Sequence, residues 1–503
     1  MKTFLLTILT LITLQAISQK QSVDFADKYA QTITATGLKE KLTVIASAAM
    51  QGRETATPGQ KKAANYIEDH FKKLEMQPGT SGGYQMSFPI YQDTLIDAAL
   101  TVRNVERKYN EMWDVNISSA ASGTYEIREV IFVSYGQVDS MRNDYKDLVV
   151  KDKWVLMIEG GPGVVSSQRK GAFVTKTKIQ KALALGAKGI FIMTSDFPKQ
   201  DELQTKGRMS LKKPEFNTSA PVIYVSSDLA HDILGMNPKQ LLQSIKNIPT
   251  GPYETRVSHS INKRTLMLYS SNVLAVIPGT DKKDEYVMIT SHYDHLGTRG
   301  KDIYYGADDD GSGTAAVMQL AEAFMKAKAE GHGSRRTVVF MTFSGEEKGL
   351  LGSEFYSEHP TFPLIKTSAD LNIDMIGRTD PKVKTDSLNY LFIIGDDKLS
   401  TDLRKITDSL NGLYSKMTLD RKYSNLNDVN RYYYRSDHYN FARKGVPVIF
   451  YFNGVHADYH KPTDTVDKIN FDLMAKRAKF VFYTAWEIAN RAAMLKRDIA
   501  LPQ

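Results

Sequence analysis

Four short runs of apolar residues leave little choice of fold for the C-terminal half of this chain: Tyr286–Thr290, Thr337–Phe343, Tyr390–Ile394 and Val448–Phe452. A strand with one wet face alternates polar and apolar residues. A run without alternation reads as a strand buried on both faces, as in a mostly parallel sheet covered by helices. Helical patterns lie between the runs, at Ser312–Lys328, Leu350–Glu358 and Asp397–Leu410, and a last long helix spans about Asn470 to Leu495. The expected fold class is therefore α/β, with a mixed, mostly parallel central sheet flanked by helices.

The first eighteen residues read as an export signal. Lys2 gives the positive end, Phe4 to Leu14 an apolar core broken only by threonines, and Ala16-Ile17-Ser18 the small residues that a signal peptidase inspects. The other reading is a buried N-terminal helix or a membrane anchor, but the run is short for a bilayer. The mature chain is expected to begin near Gln19 and to work outside the cytoplasm: secreted, periplasmic or at the cell surface. No later stretch is apolar and long enough to give a stable membrane span. Cysteine is absent, which excludes disulfides, thiol nucleophiles and thiolate metal sites, so any metal must be held by His, Asp and Glu. The formal charge of +8 is dispersed, as in Lys61-Lys62, Lys72-Lys73 and Lys282-Lys283 with acids between, and reads as solvated surface with no nucleic-acid footprint.

Between these ends the texture changes. A helical pattern at Gly59–Leu74 is followed by strand-like Tyr84–Ile90 and Leu95–Val102. Glu129–Tyr135 and Trp154–Glu159 read as strands, Gly160-Gly161-Pro162-Gly163 as a turn, Thr175–Leu185 as a helix, and Gly189–Thr194 and Ala220–Val225 as strands. This smaller α/β unit groups no histidine with acids and is expected to be accessory. The expected divisions are a signal at 1–18, the N-terminal part of the main domain at 19–110, an insert at 111–260 and the remainder of the main domain at 261–503.

The chemistry gathers after strand ends, where open α/β sheets place their sites. The segments are Ser291-His292-Tyr293-Asp294-His295, Gly306-Ala307-Asp308-Asp309-Asp310-Gly311-Ser312-Gly313, Ser344-Gly345-Glu346-Glu347, Asn372-Ile373-Asp374-Met375-Ile376-Gly377 and Asp458-Tyr459-His460. Singly, each has an ordinary explanation. A lone histidine beside a strand is usually a satisfied one, three acids before Gly-Ser-Gly can cap a helix, and paired glutamates suit a solvated face. Together they crowd carboxylates that repel one another and are costly to bury ionised. Divalent metal relieves both problems. Two histidines and three carboxylates can serve two zinc ions about 3.5–4 Å apart if one carboxylate bridges.

In order and spacing these segments resemble the di-zinc aminopeptidases of metallopeptidase family M28. The N-terminal stretch Ser47–Arg53 with Thr57-Pro58-Gly59 looks like that family's opening. The insert resembles a protease-associated domain through Lys151-Asp152-Lys153-Trp154 and Lys181-Ala182 to Gly186-Ala187-Lys188-Gly189. The resemblance implies the family's zinc-peptidase α/β fold and two Zn2+ ions. His292 and Asp374 would bind one ion, Glu347 and His460 the other, and Asp309 would bridge. It further implies Glu346 as general base, Asp294 as the acid orienting the His292 ring, Tyr459 as a group polarising the substrate carbonyl, and a cis bond between Asp309 and Asp310.

On that resemblance the chain is expected to be a metallo-aminopeptidase acting on peptides with a free N-terminal amine. A water acidified by the zincs would lose its proton to Glu346 and attack the carbonyl. The family pattern needs no ligand from His295, which is read as structural or supporting. His438, in Ser436-Asp437-His438, is read as positioning, and His332, His359 and His456 as ordinary. Tyr432, Tyr433 and Tyr434 line a side-chain pocket or belong to the core. The alternative is a carboxypeptidase similar to glutamate carboxypeptidase, with Arg378 or Arg435 for a terminal carboxylate; a catalytically inactive homologue like transferrin receptor is a further one.

Overall fold

The computed structural model describes residues 25–119, 121–161, 169–199, 205–213, 220–236, 247–384 and 386–501. The expected signal at 1–18 and the second half of the Gly160–Gly163 turn lie outside them. The chain forms two compact units, one running to Pro89 and resuming at Tyr269, the other comprising Ile90–Leu268. The expected boundaries at 110 and 260 thus differ from the observed ones. Tyr84–Ile90 and Leu95–Val102 are one strand, Gln85–Val102, whose residues 91–94 pair with Lys206–Ser210 and whose residues 100–102 pair with Val105–Arg107. That pairing keeps residues 90–110 in the smaller unit.

In the larger unit the strands are β1 (Gly251–Ile277, through its last residues), β2 (Lys282–His292), β3 (Arg336–Phe343), β4 (Thr367–Ile373), β5 (Tyr390–Ile394), β6 (Thr418–Asp420) and β7 (Val448–Phe452). They lie in the order β6-β5-β7-β4-β2-β3-β1. The central strands β3, β2, β4 and β7 are mutually parallel, and antiparallel pairing enters where β5 meets β7 and where β1 meets β3. The helices are α1 (Ala35–Ile45), α2 (Pro58–Lys73), α3 (Gly313–Ala329), α4 (Leu351–Glu358), α5 (Thr401–Leu410) and α6 (Phe471–Asn490). Side-chain caps start several of them: Thr34 accepts from the Gly37 amide, Thr57 from Gln60 ahead of Pro58, and Asn470 from Leu473.

The unalternating strands have a simple cause. Val287 and Ile289 of β2, Val338 and Phe340 of β3, and Leu391 and Ile393 of β5 face the layer of α1, α3 and α6. Their neighbours Met288, Val339, Met341 and Phe392 enter a second core with Tyr356, Phe441 and Phe450. Both faces are covered, so apolar residues follow one another without alternation.

The smaller unit has its own sheet and cores. Gly123–Phe132, Trp154–Ile158, Gly189–Met193 and Val222–Val225 run parallel, with Trp113–Val115 antiparallel at one edge and residues 251–261 at the other. Helices Arg169–Ala184 and Ser227–Ile233 accompany it. Trp113, Trp154 and Phe191 anchor one of its cores. Among the described residues no helix is long and apolar enough to cross a membrane.

Phe340 lies fully buried in the middle of the sheet against Phe324. Phe340→Ala is expected to cost about 3–5 kcal/mol, whereas Ile365→Ala, at a side chain 74% exposed, should stay within about 0.5 kcal/mol. Chemical unfolding of the two variants checks this, and equal losses would contradict the packing described.

Candidate metal centre

The site is built at the carboxyl ends of the central strands. Register sets His292, the last residue of β2, opposite Phe343 of β3, and Thr290 opposite Asn372 of β4. The turn after β3 carries Glu346 and Glu347, Asp374 follows β4, and His460 comes from the segment after β7. Asp309 arrives on the loop that enters α3.

The three consecutive aspartates have separate duties. Asp310 turns back onto the backbone: its Oδ1 accepts from the amides of Gly313 at 2.8 Å and Met375 at 3.0 Å, and its Oδ2 from His292 at 3.3 Å. A side chain on Gly313 would strike that carboxylate, so only glycine fits there. Asp308 accepts from the Gly377 amide at 2.7 Å and faces His456 Nε2 at 3.2 Å. Asp464 Oδ2 receives the amides of both Asp308 and Asp309. Asp309 alone points into the cluster, and the bond following it is cis.

Its two oxygens face opposite ways. Oδ1 lies 3.4 Å from His292 Nε2, and Oδ2 lies 3.1 Å from His460 Nε2. Around His292, Asp374 Oδ1 stands at 3.6 Å and Glu346 Oε2 at 3.9 Å. Around His460, Glu347 Oε2 stands at 3.3 Å. Donors of a tetrahedral zinc site, with bonds of about 2.0–2.2 Å, lie roughly 3.3 Å apart, which these separations match. His292 Nε2, Asp309 Oδ2 and Glu347 Oε1 are buried without a hydrogen-bond partner among the described residues. Such atoms facing one another are what a cation would satisfy. By proximity alone His292 and Asp374 group with Glu346. Asp309 is the better third donor on that side, because it is nearer and because its second oxygen reaches the other histidine.

Electrostatics give the same reading. Burial disfavours a charged His292, yet Glu346, Asp374 and Asp309 hold its protonated form well above the usual range. Burial also disfavours charge on His460, but Asp309 and Glu347 lift it to about 10. Glu346 is pushed well up, first by burial and then by Glu347 and Asp374. Burial and Asp309 would raise Glu347, but His295 and His460 bring it down to about 2. The cluster demands positive charge, and without a cation it takes protons.

The supporting groups are equally specific. His292 Nδ1 sits 3.1 Å from the Asp294 carbonyl and 3.8 Å from its carboxylate. That carboxylate accepts from Thr55 at 2.7 Å and from the Glu346 amide at 3.2 Å. Ser436 donates to Asp374 Oδ2 at 2.6 Å and accepts from Asn372. Beneath them the fully buried Arg53 donates to the carbonyls of Ile45, Tyr293, Tyr305 and Gly306. Burial lowers its pKa only to about 10, so it remains a cation under the acids.

All eight residues expected to form the site converge here: His292, Asp309, Glu347, Asp374, His460 and Glu346 in the cluster, Asp294 behind His292, and Tyr459 stacked on His460. A pocket opens beside Asp309, Glu346 and Asp374, walled by Met375, Phe450, Phe452 and Val455. Tyr432 and Arg435 line it as well, whereas Tyr433 packs in the core. Arg435 donates to the Tyr459 hydroxyl at 3.3 Å, while Arg378 is paired with Asp458 at 2.9 Å. His438 is buried and stacked on Phe450. The sequence reading passed over Arg53, His456 and Asp464, and it left His295 in a supporting role. His295 Nδ1 in fact stands 2.8 Å from Glu347 Oε1. Its place directly after Asp294 was the only signal.

Residues 272–485 match peptidase family M28. A probable leucine aminopeptidase of Arthroderma otae is 31% identical over 228 residues, 43% of this chain and 57% of that protein. The chain thus spans little more than half of this curated relative. Two solved structures share the fold. An aminopeptidase from Aneurinibacillus sp. strain AM-1 has 18% identity and TM-score 0.59, covering 95% of this chain and 99% of its own. BSAP, a zinc aminopeptidase from Bacillus subtilis, has 19% identity and TM-score 0.54, covering 93% and 99%.

Asp294→Asn removes the charge behind His292 and is expected to weaken metal retention about 10–100-fold. Competition with a chromophoric chelator measures it, and unchanged retention would remove Asp294 from the centre.

Proposed function

From the match of residues 272–485 to peptidase family M28 we propose that the protein is an exported zinc-dependent aminopeptidase that removes N-terminal residues from peptides. The carrying observation is the pair of histidine–carboxylate groups that share Asp309 at the mouth of a partly apolar pocket. Two zinc ions, one beside His292 and Asp374 and one beside Glu347 and His460, would polarise the scissile carbonyl and acidify a water.

The chain's own groups do the rest. Glu346 reaches the same space without being needed as a ligand, so it accepts the water's proton and returns it to the leaving amine. Glu346 and Asp374 line the pocket and favour a free α-ammonium group, a cation that internal peptide bonds lack. Tyr459 offers its hydroxyl to the carbonyl oxygen, held in place by Arg435 and by stacking on His460. Met375, Phe450, Phe452 and Val455 suit an apolar first side chain. The N-terminal segment 1–18 supports export, and the parallel α/β insert supports the protease-associated reading of the smaller unit.

One observation favours a second reading. Arg435 lines the pocket with no carboxylate in ion-pairing distance among the described residues. A carboxypeptidase would use such a cation for a terminal carboxylate.

Aminoacyl-p-nitroanilides and their N-blocked versions, with and without chelator, separate the two. The expected result is release from free-amine substrates only, lost with chelator and restored by zinc. Glu346→Gln should lower kcat about 10²–10⁴-fold with zinc content unchanged. Cleavage confined to N-blocked peptides with a free C-terminus would replace the aminopeptidase reading with the second one.

A further inference from the structure

We propose that His295 is a fourth protein ligand of the metal position beside Glu347, so that this position carries one more protein donor than the one beside Asp374. The inference rests on the two-zinc reading above and concerns how unequal the two positions are.

The geometry behind it is local. Glu347 divides its oxygens between two histidines: Oε2 lies 3.3 Å from His460 Nε2, and Oε1 lies 2.8 Å from His295 Nδ1. Asp309 Oδ2 completes the group, 3.1 Å from His460 and 3.9 Å from His295. His295, Asp309 and Glu347 offer ligand atoms within 4.8 Å of one another, and the His295 and His460 rings are 5.9 Å apart. The short approach of His295 to Glu347 does not meet hydrogen-bond geometry: His295 Nδ1 and Glu347 Oε1 both lack a hydrogen-bond partner among the described residues. An uncharged ring nitrogen and a carboxylate oxygen held this close, both dry, repel unless a proton or a cation lies between them.

His295 is also placed as a rigid donor. Its side chain is wholly buried, its amide donates to the Arg53 carbonyl at 3.2 Å, and its ring lies so close to Gly306 that a side chain there would strike it. His460, in contrast, has a side chain 37% exposed. A carboxylate bridge, a second carboxylate and two imidazoles would make four protein donors there, against the three that His292, Asp374 and Asp309 offer on the other side, next to Glu346. The position with the additional imidazole would then hold its ion more firmly than the other.

The test uses the full mature chain, stripped by chelator dialysis and reloaded with zinc in steps. Two binding steps are expected, the tighter at least about 100-fold stronger than the weaker, following the affinity gain of added ligands and their supports. X-ray absorption of the one-zinc protein should show scattering from two imidazoles. His295→Gln should reduce this to one and weaken the tight step about 100-fold, leaving the weak step unchanged. One imidazole in the unaltered one-zinc protein overturns the proposal without reference to any variant. So does a His295→Gln protein that keeps both the imidazole count and the tight step. Two bound zincs with normal hydrolysis but a single imidazole would sink the role of His295 and leave the aminopeptidase reading standing. Failure to bind zinc at all would sink both.

Discussion

Mutual repulsion among buried carboxylates governs the larger unit. Asp294, Asp308, Asp309, Asp310, Asp374 and Asp464 are all buried, and Glu346 and Glu347 are nearly so. Desolvation alone would empty such a cluster of charge. It persists because each acid has a partner of a different kind. Amides hold Asp310 and Asp308, imidazoles face Asp309 and Glu347, hydroxyls reach Asp294 and Asp374, and Arg53 lies beneath as a permanent cation. Among the described residues, Asp309 Oδ2 and Glu347 Oε1, which face the histidines, are buried without a hydrogen-bond partner, a shortfall that a cation would fill.

The fold serves this arrangement by tying its loops to one another. Asp310 and Ser312, at the entry to α3, accept amides of Met375 and Ile376 after β4. From α6, the buried Arg477 donates to the carbonyls of Ile376, Arg378 and Tyr390. Asp464 reaches back to the Asp308 and Asp309 amides. These links run between segments of loop, yet they rest on strands whose two faces are packed, so ligand positions inherit the rigidity of the sheet.

Much of this was legible beforehand. The four apolar runs marked β2, β3, β5 and β7, because burial on both faces admits no alternation, but not the central β4, whose buried Asp370 and Asn372 break the apolar pattern; the acid and histidine segments marked the site. Less was legible where one residue type has several duties. Asp308, Asp309 and Asp310 are chemically alike, and only their hydrogen bonds distinguish two that hold backbone from one that faces the cluster. His456 gave no local sign of its partner Asp308, which lies far away in the chain. Arg53 sat in a segment quoted for its pattern, but its carbonyl acceptors come from three separate stretches. The start of the smaller unit near residue 90 has no mark in the sequence, because Gln85–Val102 is continuous and its pairing partners decide its unit.

The sequence by itself determined the α/β class, the place of four of the strands along the chain, the chemistry available without cysteine, and the segments from which the site residues come. These follow from periodicity and residue type, which are local. The tertiary structure alone decided which way Asp309 points, that His295 stands against Glu347, that Arg435 rather than Arg378 faces the pocket, and where the smaller unit begins. Those are distances between residues remote in the chain. They are set by strand register and by which buried polar atoms find partners, and neither is written in any single segment.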